Sequence, residues 1–126
     1  MKNSSLLLPL LFVLCACNIQ SQKKDCPLDG RTFKIENFVN GKSEGSELLT
    51  FKNGRAENDV CKQWGFTDAT YKTAANCTFK YSLTSEKEGK MDWEGHVLGD
   101  KIEGKMVWIK AGQNDIPYTF VGQEVK

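Results

Sequence analysis

The chain has 126 residues, with 17 Lys and Arg against 16 Asp and Glu, five cysteines and one histidine. A formal charge of +1 leaves no basic footprint for nucleic acid, and one histidine with no Cys-x-x-Cys spacing leaves no basis for a zinc site. The length fits one domain with a modest core.

The chain opens Met1-Lys2-Asn3-Ser4-Ser5, with one positive side chain, and continues through nine uncharged residues from Leu6 to Leu14. These have the form of the two leading regions of an export signal, and the apolar run is too short and too early for a spanning helix. The sequence Leu14-Cys15-Ala16-Cys17 that follows resembles the bacterial lipobox. That resemblance implies cleavage before Cys17, acylation of Cys17 by several chains, and firm attachment to a membrane of the bacterial cell envelope. The periplasmic face of the outer membrane is the expected location. An ordinary secretory signal, with Cys15 and Cys17 incidental, is the competing reading.

Residues 1–17 are thus assigned to the signal, 18–27 to a polar tether and 28–126 to one domain. Extended, the stretch from Asn18 to Asp25 spans at most roughly 26 Å. Loss of Lys2 with the signal brings Lys plus Arg from 17 to 16, equal to Asp plus Glu.

From Leu28 onward the apolar residues alternate with a period of two, broken by turn residues at short intervals, which predicts an all-β domain. Strands are expected at 31–38, 47–52, 55–61, 68–74, 77–84, 90–98, 101–110 and 116–123. Asn53-Gly54 is a strong hairpin signal, because both central residues of a type I′ turn need positive φ, and Gly99-Asp100 is a second. Taking Gly99-Asp100 as a two-residue loop sets Gly95 opposite Gly104, Trp93 opposite Met106, Glu94 opposite Lys105 and His96 opposite Glu103. Met91, Trp93, Val97, Ile102, Met106 and Trp108 then share one face, while Asp92, Glu94, His96, Glu103 and Lys105 share the other. The paired glycines leave a gap on the apolar face. Sequential strands of this kind form an antiparallel up-and-down meander, and curling it into a small β-barrel of about eight strands removes its exposed edges.

Chain direction in such a meander selects a disulfide. Cys61 ends an ascending strand and Cys77 starts one after the next descent, so the two lie roughly 17–20 Å apart, beyond the reach of a bond that needs Cα atoms within about 7 Å. Cys26 precedes the first strand and lies at the Cys77 end. A Cys26–Cys77 bridge follows, with Cys61 a free thiol.

The stretch Trp93-Glu94-Gly95-His96-Val97-Leu98-Gly99-Asp100-Lys101-Ile102-Glu103-Gly104-Lys105-Met106-Val107-Trp108 resembles the W-x-G-x-V-x-G-D-x-I-x-G-x-x-x-W hairpin of small bacterial lipocalin-like proteins of the calycin type, often lipoproteins of unassigned role. Cys61-Lys62-Gln63-Trp64-Gly65-Phe66 and Tyr118-Thr119-Phe120 are similar to that group as well, so the likeness spans roughly residues 28–122. It implies a lipocalin-like barrel and says little about function. Avidin-like barrels share such a hairpin, but no residue set here matches a biotin site.

Phe79, Tyr81, Trp93, Trp108 and Phe120 are candidates to line a cavity for a small apolar ligand, or else they fill the barrel, whose interior is only just wide enough for side chains. Trp64 and Phe66 either rim the barrel mouth or plug it. His96 with Glu103 reads as a surface cross-strand pair and not as a catalytic base. Asp29, Glu44, Glu47, Glu57 and Asp59 lack metal-loop spacing and are expected on a solvated surface. No catalytic residue, metal or cofactor is expected, and the partners are the membrane, through its lipid anchor, and any ligand of a monomeric barrel. Two functions remain: a binding protein for a small apolar ligand, or a structural or protein-interaction lipoprotein with a filled barrel. A void opposite Gly95 and Gly104 favours the first, a packed aromatic the second.

Overall fold

The computed structural model describes residues 26–126. The export signal, Cys17 and the tether as far as Asp25 lie outside the described residues. Among the described residues nine strands make one antiparallel sheet: β1 (Arg31–Val39), β2 (Lys42–Lys52), β3 (Arg55–Asn58), β4 (Ala69–Thr70), β5 (Lys72–Ala74), β6 (Thr78–Ser85), β7 (Gly89–Leu98), β8 (Lys101–Ile109) and β9 (Ile116–Val125). Their spatial order is β4-β3-β2-β1-β9-β8-β7-β6-β5. Only Tyr71 separates β4 from β5, so the run 69–74 pairs with β3 through its first part and with β6 through its second. The two ends of the sheet thus meet, and the meander becomes a nearly closed barrel without long free edges.

The β7–β8 register follows the alternation residue by residue, with Gly95 opposite Gly104 and Trp93 opposite Met106. Gly99 has φ +65° while Asp100 is not left-handed, the type II′ pattern with glycine first. Asn53-Gly54 is left-handed at both positions, and so is Asn40-Gly41, which turns β1 into β2. Strand β2 is longer than expected at its start, because backbone pairing to β1 carries Lys42–Ser46 even though this stretch holds no apolar residue. The β1–β2 register shifts between Asn37 and Phe38. Gly45, at φ +106°, sits beside that irregularity.

Two further expectations need correction. The strand expected at 55–61 stops at Asn58 and gives way to a short helix, α1 (Asp59–Gln63), so Cys61 is helical. Glycine ends the helix: Gly65, at φ +85°, donates to the Lys62 carbonyl and Phe66 donates to the Cys61 carbonyl, a Schellman closure with Phe66 and Cys61 both buried. Cys77 ends a 3₁₀ turn (Ala75–Cys77) and does not begin β6. Its sulfur is bonded to that of Cys26, with Cα atoms 5.3 Å apart, and Cys61 is a buried free thiol.

The lower end of the barrel holds the disulfide and the β2–β3 and β7–β8 turns; the upper end holds α1 and the β1–β2 and β6–β7 turns. Leu28 closes the lower end from inside. Around it Asp29 accepts from the Tyr71 hydroxyl and the Gly54 amide, and Arg31 donates to Glu124 and to the Gly99 carbonyl. These bonds hold the Asp29 carboxyl below its usual range, the Tyr71 bond first and the Gly54 amide second.

Candidate functional site

The interior divides into two zones. In the lower zone Phe33, Phe51, Phe79, Phe120, Val97 and Ile102 are buried against one another. The Phe51 and Phe79 rings meet edge on, with centroids 5.1 Å apart. Phe79 and Phe120 occupy the gap over the paired glycines: a Cβ on Gly95 would lie 2.8 Å from Phe79 Cζ, and one on Gly104 would lie 2.6 Å from Phe120 Cζ. Small backbone on two strands thus makes room for two aromatic rings, and that part of the barrel is solid.

Four of the five candidate lining aromatics come together. Phe79 stacks on Tyr81, Tyr81 lies nearly parallel to Trp93 with centroids 5.7 Å apart, and Trp93 meets Phe120 at 5.3 Å. Trp108 stays apart from this chain of rings. It is half-buried, its Nε1 donates to the Glu88 carbonyl at the β6–β7 turn, and the Lys110 ammonium lies 5.9 Å from its ring centroid. The Trp64-Gly65-Phe66 segment divides likewise: Phe66 is buried as a plug, while Trp64 is 63% exposed on the rim.

The upper zone holds a polar cluster that no sequence motif marks. Glu47 was expected on the surface, but it shares the inward parity of Leu49 and Phe51 on β2 and is buried. Its Oε2 accepts from Asn37 Nδ2 at 2.9 Å and its Oε1 from Asn58 Nδ2 at 2.6 Å, while the Cys61 thiol lies 3.6 Å from Oε1. The Tyr81 hydroxyl donates to Asn58 Oδ1 at 2.8 Å. Among the described residues, two buried atoms here have no hydrogen-bond partner: Asn37 Oδ1 and Trp93 Nε1. Parity would have revealed Asn37 and Glu47, since both continue apolar alternations inward. Residue type concealed them.

Burial raises the Glu47 pKa against the opposing effect of its three hydrogen bonds, and burial pushes the Cys61 thiol well above its usual range, with the Glu47 charge adding to it. The thiol is therefore protonated and inert at neutral pH. For Glu47 the folded state holds its proton to higher pH than the unfolded chain does. Its stabilising contribution is full below the ordinary value of 4.5 and is lost as pH rises through the folded value. Glu47→Gln stays neutral throughout, and Asn37 can turn its amide over to accept from the new NH2. The variant should show a flatter melting temperature above pH 4.5 than the parent, as read by thermal unfolding at stepped pH. Parallel declines in the two proteins would remove Glu47 as the source.

On the outer face, His96 and Glu103 approach to 3.1 Å and Lys105 and Glu94 to 3.3 Å, the cross-strand pairs that the register requires. Both are exposed enough to contribute little to stability. Two grooves run along this outside: one is lined in part by Lys72, Lys80, Tyr81, Asp92, Trp93 and Lys105, the other in part by Phe79, Gly95, His96, Glu103, Gly104 and Phe120, so the second lies against the paired glycines and their two rings. Among the described residues no group of acidic, His or Cys side chains is placed to hold a metal ion, and no helix is long and apolar enough to cross a membrane.

Searches against protein-family models, curated proteins and solved structures found no match to this chain.

Proposed function

We propose that this chain is a lipocalin-like lipoprotein of the bacterial cell envelope, anchored through Cys17, non-catalytic, and acting through its outer surface while the barrel serves as a solid support. The observation that carries this reading is the pair of rings, Phe79 and Phe120, seated over Gly95 and Gly104 where a ligand cavity would otherwise begin. A filled lower interior leaves the recognition surface outside, on the two grooves between β4 and β9, where charged and aromatic side chains mix, and on the Trp64 rim. A second reading, a small ligand held in the upper zone, is favoured by Asn37 Oδ1 and Trp93 Nε1, buried polar atoms that an apolar molecule bearing one donor and one acceptor would satisfy.

Two measurements test the two halves of the proposal. Cys17→Ser should free the protein from carbonate-washed membranes, and a variant that still sediments with them would end the anchor reading. Titration of the purified protein with an apolar fluorophore should give no saturable change in tryptophan emission. Saturable one-to-one binding that is lost in Trp93→Phe would overturn the filled barrel in favour of the second reading.

A further inference from the structure

We infer that the lower end of the barrel is a foot that rests on an anionic lipid surface, with Leu98 in the bilayer interface and Lys52 and Lys101 against the headgroups. This rests on the anchor reading of Cys17 and adds to it an orientation and a contact. Leu98 is 78% exposed, the most open large apolar side chain among the described residues. It points outward at the tip of the β7–β8 hairpin, and Val125, 50% exposed, faces outward at the same end of β9. A single exposed leucine is ordinary on a protein surface. Here three further observations bear on it.

The hairpin tip is held in place. Arg31 donates to the Gly99 carbonyl at 2.6 Å and the Glu124 amide donates to the Asp100 carbonyl at 2.7 Å, so Leu98 is presented on a fixed turn. Of the carboxylates at this end, Glu124 is paired with Arg31, while Asp29 and Asp100 are held by neutral donors, Tyr71 and Gly54 for the one and Gln123 for the other, and keep their charge. Lys52 and Lys101 form no ion pair among the described residues, so their charge is left for an external anion.

The tether selects the occupant. Cys26 is bonded to Cys77 at the lower end, so the chain that leads back to Cys17 leaves from that end. The eight residues between them span at most roughly 26 Å, and this holds the lower end at high effective concentration near the bilayer while Trp64 is carried at the far end. A protein partner would have to fit within that gap; a lipid surface is already there. An apolar tip flanked by lysines is the chemistry of interfacial attachment, and a second weak contact reinforces an acyl anchor.

The test uses the mature acylated protein in vesicles of phosphatidylethanolamine and phosphatidylglycerol, with an environment-sensitive fluorophore on Leu98→Cys or on Trp64→Cys; the native Cys61 thiol is buried and does not compete for label. The label at 98 should be blue-shifted, quenched by lipid-borne nitroxide and shielded from aqueous iodide, and the label at 64 should behave in the opposite way. Lys101→Glu, or vesicles of phosphatidylcholine alone, should reduce the nitroxide quenching at 98 several-fold. Equal iodide access at 98 and 64 in a protein whose N-terminal peptide mass shows the acyl chains would overturn the foot and leave the anchor standing. A peptide mass without acyl chains would end both.

Discussion

Replacing both Cys26 and Cys77 with serine is expected to lower the unfolding free energy by roughly 4 kcal/mol, the loop-closure contribution for a bridge that spans 51 residues in sequence. For a domain of about a hundred residues this corresponds to a fall in melting temperature on the order of 15–30 °C. The size follows from what the bridge joins. Cys26 lies outside the sheet, ahead of β1, and its tie to the turn before β6 fixes the entering segment whose Leu28 closes the lower end. Guanidinium unfolding of the parent with and without reductant, beside the double variant, measures the effect. A loss below about 1 kcal/mol would mean that Asp29, Tyr71 and Arg31 hold the lower end without the bridge.

Gly104→Val should be at least as damaging as overpacking usually is, about 3 kcal/mol or more. A Cβ at this position would run into the Glu94 carbonyl oxygen on the neighbouring strand and would lie 2.6 Å from both Gly95 Cα and Phe120 Cζ. Two of these three neighbours are backbone and cannot rotate away. Gly104→Ala should therefore carry much of the cost, because its single Cβ meets the same atoms. Thermal unfolding of both variants decides the matter: a melting temperature unchanged in Gly104→Ala would show that β7 and β8 can separate at this point and that the rings do not fix their spacing.

The hairpin containing Gly104 was the most legible part of the chain, since a two-residue loop and two alternating strands leave a single register that sorts apolar from polar. The strands around Phe33, Phe51 and Phe79 were legible for the same reason. Helix α1 was not, because five residues make about one and a half turns and no periodicity can develop over that length. The glycine in Trp64-Gly65-Phe66 was its visible stop signal. The start of β2 was hidden by composition: Lys42-Ser43-Glu44-Gly45-Ser46 pairs through its backbone alone, although Asn40-Gly41 just before it has the same turn chemistry as Asn53-Gly54. Within the candidate site, the aromatic residues follow from parity, whereas Glu47 has the same parity but its charge points to the surface, and Asn37 simply extends the Phe33-Ile35 alternation. Nothing local in the sequence marks the break at Tyr71, which depends on how far the whole ring is sheared when its ends meet.

That break has a mechanical meaning. In a closed ring of strands every register constrains the next, and a slip of one residue would turn a whole strand inside out unless another place absorbed it. At Tyr71 the wall passes from one neighbour to the other, with two paired residues on the β3 side and three on the β6 side. The barrel therefore carries an expansion joint, where small changes in strand length or tilt elsewhere around the ring are taken up without disturbing the sorted faces of β7 and β8.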